Sequence, residues 1–159
     1  MNTYHITIGT YGTRLHGGVA PTVERSHNKP GEPFVTADPK REMAMRKKMQ
    51  ETPCYFSDEQ RLFVESIIPA ICEQGGWKYH FAACQEDHIH LLVTAQVEPK
   101  AIRRWFKTWL TQSLNKQYGS RTWLVDGGST KWINDERYFQ AVVEYIRKQR
   151  TTQDRESNE

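Results

Sequence analysis

The order in which strand-like and helix-like segments follow one another is the feature that most constrains the fold of this chain. β-Branched and aromatic residues predict strands, and apolar residues at helical spacing between capping signals predict helices. Strands are predicted at 3–10, 77–84, 88–96 and 131–133, and helices at 57–75, at 99–118 and from 134 or 135 to about 150. This order predicts an α+β, ferredoxin-like sandwich in which two helices cover one face of an antiparallel sheet and a C-terminal helix follows.

The length of the chain is consistent with one domain. Its 159 residues can bury one hydrophobic core and are too few for two ordinary domains. We expect a single domain over residues 1–150 and a polar C-terminal tail at 151–159. Glycine and proline are concentrated between residues 12 and 40, and we interpret 12–56 as a long loop insertion within the domain.

Several classes of protein are excluded by composition. No apolar run is long enough for a membrane span, and the N-terminus lacks a signal-peptide pattern, so we expect a cytoplasmic protein. The three cysteines include no Cys-x-x-Cys pair, which argues against a disulfide framework or a zinc ribbon and for reduced, mostly buried thiols. The formal net charge of +3 is by itself a weak indication of nucleic-acid binding.

Two histidines stand two residues apart at the start of an apolar segment. Successive side chains of a strand point to opposite faces, so His88 and His90 are predicted to share one face while Ile89 and Leu91 occupy the other. Two neighbouring imidazoles can bind a divalent metal ion. On spacing alone, two ordinary polar residues on a solvated face are the alternative.

The last predicted helix carries a tyrosine and a glutamine one turn apart. Its buried face begins at Phe139, and Tyr145 and Gln149 lie on a stripe beside that face. A metal ion held by His88 and His90 beside this stripe would suit phosphoryl transfer, because the metal withdraws charge from a phosphate oxygen while the phenol attacks. Taken alone, a tyrosine at such a position is usually a packing residue.

Tyr138 lies on the same stripe two turns earlier and is the competing nucleophile. Val142 stands four residues after it, where Gln149 follows Tyr145, so Tyr138 has no metal ligand beside it. We therefore treat Tyr138 as a structural residue or, at most, a DNA contact. The remaining histidines are interpreted as core or solvated residues: His5, His16, His27 and His80.

These residues resemble the single-tyrosine HUH transposases of the insertion-sequence type, whose name denotes two histidines separated by a hydrophobic residue. The segments that carry the resemblance are 87–93 and 144–149. Segments 10–17 and 127–132 more closely resemble the branch of REP-associated tyrosine transposases. The resemblance extends over nearly the whole chain, apart from the long insertion.

The resemblance implies a divalent metal ion, Mg²⁺ or Mn²⁺, bound by His88, His90 and Gln149. It also implies that Tyr145 is the catalytic residue, which attacks a phosphate of single-stranded DNA to form a 5′-phosphotyrosine intermediate and a free 3′-hydroxyl. Members of the family recognise hairpins next to the cleavage site and often act as dimers. Hairpin DNA is therefore the expected partner, no membrane partner is expected, and a homodimer is left open.

Basic and aromatic residues alternate in the second predicted helix. This mixture can grip phosphates and stack on bases, so we predict DNA contacts at Arg103, Arg104 and Lys107, together with Arg14 in the 10–17 segment. Phe106 and Trp109 continue the apolar stripe of this helix, and we assign its aromatic residues to the core: Trp105, Phe106 and Trp109. The basic cluster at 40–48 is either a DNA-binding element or a solvated face.

The resulting hypothesis is a metal-dependent single-stranded DNA endonuclease and strand transferase. The main alternative is a domesticated module that binds hairpin DNA or RNA without cutting it. A third hypothesis is a metal-dependent hydrolase that uses water, for which Tyr145 would be dispensable.

Overall fold

A computed structural model of the chain describes residues 1–13, 40 and 51–150. The strands are β1 (Asn2–Gly9), β2 (Lys78–Cys84), β3 (His88–Ala95) and β4 (Ser129–Ile133), and the helices are α1 (Asp58–Gly75), α2 (Pro99–Tyr118) and α3 (Glu136–Arg147). The strands form one antiparallel sheet in the order β2, β3, β1, β4. The predicted α+β fold class, with an antiparallel sheet and three helices, is confirmed.

The main core lies between one face of the sheet and helices α1 and α2. In the central strands every second residue points to this side, and Ile6 pairs with Leu91 while Ile8 pairs with Ile89. These side chains are fully buried, and the helices contribute Val64, Ile68, Ile102, Phe106, Leu110 and Leu114 to the same cluster. Burying a side chain of this size contributes about 1.5–3 kcal/mol, so this layer dominates the driving force for folding.

Helix α1 begins and ends at the residues that the sequence indicates. The Ser57 hydroxyl accepts a hydrogen bond from the Gln60 backbone N–H at 3.2 Å, and the Gln60 side-chain oxygen accepts one from the Ser57 N–H at 3.0 Å. This reciprocal capping box satisfies two backbone donors that the first turn would otherwise leave unpaired. The helix ends at Gly76, whose φ of 72° places it in the left-handed region that glycine adopts without strain.

Helix α3 packs on the sheet face opposite to α1 and α2. Asp135 caps its N-terminus by accepting a hydrogen bond from a backbone N–H. The buried side chains Val142 and Ile146 form a second, smaller cluster with Ala83 of β2 and Leu92 of β3. Helices thus pack on both faces of the sheet, and α3 covers part of the face whose side chains point away from the main core.

The predicted end of the last helix at about residue 150 is wrong. Helix α3 ends at Arg147, and the following residues form turns in which the Gln149 N–H donates to the Ile146 carbonyl at 2.8 Å and the Arg150 N–H donates to the Arg147 carbonyl at 3.3 Å. Such bonds to the residue three positions earlier tighten the last turn of a helix, a common way to satisfy its terminal carbonyls.

The end of the predicted loop insertion packs onto the domain. The Cys54 N–H donates to the Tyr11 carbonyl and the Phe56 N–H donates to the Glu86 carbonyl, each at 2.8 Å, and both side chains are buried. Residues 14–39 and 41–50 lie outside the described residues, and so does the predicted tail at 151–159. The boundaries of the domain and of the insertion therefore stay predictions.

All three cysteines are free and buried, as predicted: Cys54, Cys72 and Cys84. Burial raises the pKa of the Cys72 thiol to about 12, and it also raises the pKa of Cys84 well above its ordinary value. Neutral thiols are poor nucleophiles and poor metal ligands, so these cysteines act as small core residues.

The loop before β4 approaches the backbone of β1 closely. Gly128 has a φ of +143°, and a Cβ atom at this position would lie 2.9 Å from the carbonyl oxygen of Thr7 and 3.1 Å from Cδ of Arg103. Gly127 also has a positive φ, of 83°, but a Cβ atom there would meet no atom within 4 Å. Position 127 therefore requires glycine for its backbone conformation alone. Position 128 requires glycine for its backbone conformation and because a Cβ atom has no space there.

We predict that Gly128→Ala lowers the free energy of unfolding by about 1–3 kcal/mol, because a left-handed conformation is combined with a clash against backbone. Gly127→Ala is the matched control, and its cost should be about 1 kcal/mol, since only the conformation is unfavourable. Urea unfolding of the two variants measures the difference. Equal losses at the two positions would contradict the close approach of this loop to β1.

Candidate active site

The alternation of β3 separates the two histidines from the main core. Ile89 and Leu91 point into that core, whereas His88 and His90 point to the face on which α3 lies. His90 is 4% exposed and His88 is half-buried. The predicted placement of both imidazoles on one face is therefore confirmed.

A third histidine, which the sequence did not single out, contacts this pair. His5 on β1 is buried, and its Nε2 shares a hydrogen bond of 3.0 Å with Nδ1 of His90. The Thr7 hydroxyl lies 3.3 Å from the same nitrogen. Strand alternation predicts from the sequence that His5 and Thr7 share one face of β1. Only the register, in which Thr7 pairs with His90, shows that both residues contact His90.

In the described part of the chain, each histidine of β3 forms hydrogen bonds through Nδ1 and none through Nε2. The His88 Nδ1–H donates to the Asp87 carboxylate at 2.6 Å. The Nδ1 of His90 is engaged by His5 and Thr7, and its Nε2 is buried and forms no hydrogen bond with the described part of the chain. A hydrogen bond at one imidazole nitrogen orients the ring and decides which nitrogen remains as an acceptor.

Burial keeps the contacting imidazoles neutral. It lowers the pKa of His90 to about 3, with smaller effects in the same direction from the charges of His88 and His5. It also lowers the pKa of His5 to about 4, assisted by the positive charge of Lys131. The neutral imidazole is the form that donates a lone pair to a metal ion.

Tyr145 lies beside His90 of its own chain. Its side chain is 50% exposed, and its ring is edge-on to His90 at a centroid distance of 5.4 Å and to His5 at 6.2 Å. The position follows from the helix, because Ile146 is buried against the sheet and the preceding residue is rotated by about 100° from it. The tyrosine thus reaches the histidines and remains accessible to solvent.

Tyr138 and Gln149 occupy different surroundings. Tyr138 is partly buried and packs against the cluster of α3 with the sheet, which agrees with a structural residue. Gln149 is half-buried and follows the end of α3, in the turn after Arg147. The described contacts of Gln149 involve its backbone alone, so its assignment as a metal ligand stays a prediction.

The predicted DNA contacts of α2 lie on the other side of the sheet. Arg103 donates a hydrogen bond to the Thr130 hydroxyl of β4, and Lys107 Nζ donates to the carbonyl oxygens of Val125 at 3.3 Å and Gly127 at 2.8 Å. These two cations hold the segment that leads into β4. Their role as DNA contacts stays a prediction.

The third basic residue of α2 has a different neighbour. The guanidinium carbon of Arg104 lies 5.0 Å from the centroid of the Trp105 ring, which stacks on Trp109 at 5.5 Å. The assignment of the aromatic residues to the core is wrong for Trp105, which is 42% exposed because it lies one residue off the buried stripe marked by Phe106. Arg14 and the basic cluster beyond Lys40 lie outside the described residues.

Comparison with known proteins identifies the family. The family model described as transposase, IS200 like, matches residues 49–149, which is more than half of the chain. The chain belongs to the IS200-like transposase family. This confirms the family resemblance carried by segments 87–93 and 144–149. None of the curated proteins compared matches the chain in sequence.

Two solved structures are similar to this IS200-like chain. A REP-associated tyrosine transposase bound to a REP hairpin aligns with a TM-score of 0.50 and 9% identity over 92% of this chain and 64% of that chain. A transposase candidate from Deinococcus radiodurans R1 aligns with a TM-score of 0.46 and 14% identity over 94% of this chain and 92% of that chain. At this identity, the first comparison supports the fold alone.

The donor atoms of the site fit the divalent metal ion that the IS200-like family implies. The buried Nε2 of His90 has no hydrogen-bond partner among the described residues, and an unpaired buried nitrogen costs about 1–3 kcal/mol unless a ligand satisfies it. Among the described residues, no group of three or more His, Cys, Asp or Glu side chains is arranged to hold a metal ion. Within the described part of the chain, a third protein ligand beside His88 and His90 would therefore be of another type, such as the predicted amide of Gln149.

The family assignment is accompanied by one negative finding on membranes. Within residues 1–13, 40 and 51–150, no helix has the length and apolar character needed to cross a bilayer.

We predict that the domain loses stability as the pH falls from about 6.5 to about 3. The folded pKa values of His5 and His90, about 4 and about 3, lie below the ordinary value of 6.5, so the unfolded chain binds protons first. Urea unfolding at pH 7 and pH 5 measures the loss, and His5→Gln should show a shallower fall because glutamine does not protonate. NMR titration of either ring with an ordinary midpoint would contradict the prediction.

Proposed function

We propose that this chain is a metal-dependent single-stranded DNA endonuclease and strand transferase that acts at hairpin-associated sites, with Tyr145 as the nucleophile. The observation that carries the proposal is the position of the Tyr145 ring, edge-on to His90 of the same chain at 5.4 Å. Membership of the IS200-like family supports a transposase type of chemistry. One structural neighbour was solved with a REP hairpin, which supports hairpin DNA as the partner.

His88, His90 and Gln149 would hold the metal ion, Mg²⁺ or Mn²⁺. When bound, the metal supplies Lewis-acid stabilisation of the negative charge on the phosphate oxygens. Asp87 orients His88 by accepting its Nδ1–H. An imidazole whose Nδ1 carries the proton leaves Nε2 as the donor of the lone pair, so this hydrogen bond prepares His88 for the metal.

His5 is the corresponding positioning residue for His90. If the His90 Nδ1–H donates to Nε2 of His5 across the 3.0 Å contact, the buried Nε2 of His90 keeps its lone pair free for a metal ion. The lowered pKa of His5 keeps this acceptor neutral. A carboxylate usually performs this task, and here a second imidazole replaces it for one of the two ligands.

Tyr145 performs the covalent step. Its hydroxyl loses a proton to solvent, its oxygen forms a bond to the phosphorus atom, and the bond between phosphorus and the 3′ oxygen breaks. The leaving 3′ oxygen takes up a proton, and the 5′ side of the strand remains as a phosphotyrosine ester. One ester replaces another, so the reaction can reverse onto a second 3′-hydroxyl and needs no nucleotide cofactor.

We predict that Tyr145→Phe abolishes the covalent adduct formed with single-stranded hairpin DNA in the presence of Mn²⁺, because the attacking oxygen is removed. Denaturing gel electrophoresis detects the adduct. Tyr138→Phe is the matched control on the same helix, and it should form the adduct at an unchanged level.

The other outcomes distinguish the competing functions. Undiminished adduct in Tyr145→Phe would show that another residue is the nucleophile. Cleavage by Tyr145→Phe without an adduct would favour the hydrolase that uses water. Hairpin binding by the unaltered chain, with neither cleavage nor adduct, would favour the non-cleaving module.

We predict that His5→Phe weakens Mn²⁺ binding by about 10–100-fold, because phenylalanine keeps the ring but removes the acceptor for His90. His5→Gln, which places a carbonyl oxygen near the same position, should restore most of the affinity. Calorimetric titration with Mn²⁺ measures both variants against the double variant His88→Ala plus His90→Ala, which should bind no metal.

His80→Phe is the matched control for the loss of a histidine from this sheet face. His80 also shares a hydrogen bond with a threonine, at 2.6 Å from Thr94, but it packs against Phe139 rather than His90. Its substitution should leave Mn²⁺ affinity unchanged. An equal loss of affinity in the two phenylalanine variants would show a general effect on folding and refute the positioning role.

A further inference from the structure

Helix α3 covers only part of the sheet face that carries the histidines. Its buried residues Val142 and Ile146 cluster with Ala83 of β2, Leu92 of β3 and Ile133 at the end of β4. On the opposite side of the site the same face continues over β1 and β4, where Thr7 is half-buried and Ser129 and Lys131 are exposed. We call these three residues the open corner: Thr7, Ser129 and Lys131.

The register connects the open corner to the site. Thr7 pairs with His90 on one side and with Ser129 on the other, and Lys131 pairs with His5. Neighbouring strands lie about 4.8 Å apart, so β4 is about 10 Å from β3 across the sheet. The corner is therefore a polar continuation of the site toward β4, on the part of that strand that precedes Ile133.

Lys131 is the cation of this corner. Its side chain is exposed, and within the described ranges it has no ion-pair partner. Two acidic residues on the neighbouring elements have other partners, since Asp87 accepts from His88 and Glu144 pairs with Arg147 at 3.3 Å. The charge of Lys131 acts on His5, where it adds to the effect of burial on the pKa.

A polynucleotide that presents one phosphate to Tyr145 must continue on both sides of it. The packed cluster of α3 with β2, β3 and Ile133 of β4 closes the rest of this face, whereas the open corner offers hydroxyl groups and a positive charge. Phosphates of single strands are bound by such cations, with hydroxyl groups as additional donors. Charge complementarity and continuity with the site both favour this path.

We propose that the substrate strand leaves the site over the open corner and that Lys131 binds a phosphate adjacent to the cleaved one. This inference rests on the proposed function, because it assumes single-stranded DNA at Tyr145. It adds a phosphate-binding subsite on β4, on the same face as the histidines and opposite to the basic residues of α2.

The test measures binding of a fluorescent oligo-dT strand to the full chain carrying Tyr145→Phe, so that cleavage does not interfere. One phosphate contact in a single strand contributes about 0.7 to the slope of log affinity against log salt. Lys131→Gln should lower this slope by about 0.7 and the affinity by about fivefold at about 0.1 M salt. Lys131→Glu should bind more weakly still.

The matched control is Lys78→Gln. Lys78 is also exposed, but it begins the opposite edge strand, where its charge acts on His80 instead of His5. Its substitution should leave the affinity and the salt slope unchanged. An equal effect of the two lysine variants would show a general response to net charge and overturn the subsite.

A second measurement locates the contact on the hairpin substrate. The phosphates beside the cleaved bond are replaced one at a time by a neutral methylphosphonate. At one phosphate, the replacement should lower the affinity of the chain with Lys131 intact by about fivefold. It should leave the affinity of the Lys131→Gln variant unchanged, since both changes remove the same contact.

The two proposals fail in different ways. If Lys131→Gln keeps the parent affinity and salt slope while the unaltered chain still forms the Tyr145 adduct, the subsite is refuted and the proposed function stands. If the unaltered chain neither binds single strands nor forms an adduct, the proposed function itself is refuted.

Discussion

The pairing of β1 with β3 is the constraint on which both the core and the candidate site depend. In the observed register, Ile6 lies opposite Leu91 in the main core, and Thr7 lies opposite His90 on the other face. A slip of one residue would turn Ile6 away from the core and His5 into it. A slip of two would preserve the faces but move Thr7 away from its position opposite His90. Hydrophobic burial on one side of the sheet therefore holds the hydrogen bonds of the site on the other.

Helix α3 sets the position of Tyr145, the proposed nucleophile, relative to these strands. Val142 and Ile146 anchor the helix through apolar contacts, and Tyr145 is carried beside the histidines at the border of the packed surface. A side chain at the edge of a packed surface can contact the histidines and remain accessible to a large substrate. Gln149 depends on a different element, because the helix ends at Arg147 and the turn that follows, rather than helical phase, sets its direction.

The basic side chains on the two faces of the sheet have different surroundings. Arg103 and Lys107 of α2 are engaged by Thr130 and by carbonyl oxygens of the loop before β4. They help to hold β4 at the edge of the sheet, where Lys131 then projects from the face of the histidines. Basic residues that look alike in the sequence thus divide into Arg103 and Lys107, which organise the edge strand, and Lys131, to which we assign the proposed phosphate contact.

The sequence by itself determined the elements, the shared face of His88 and His90 and the family, because strand alternation, helical spacing and capping signals are local patterns. It did not reveal His5 as a neighbour of His90, the exposure of Trp105, the end of the last helix at Arg147 or the engagement of Arg103. These depend on strand register and on which surface packs against which, so contacts between residues distant in the sequence decide them, such as the His5–His90 hydrogen bond across 85 positions. Only the tertiary structure brought Tyr145 to His90 within one chain, because the packing of α3 on the sheet is a long-range hydrophobic contact that no local pattern encodes.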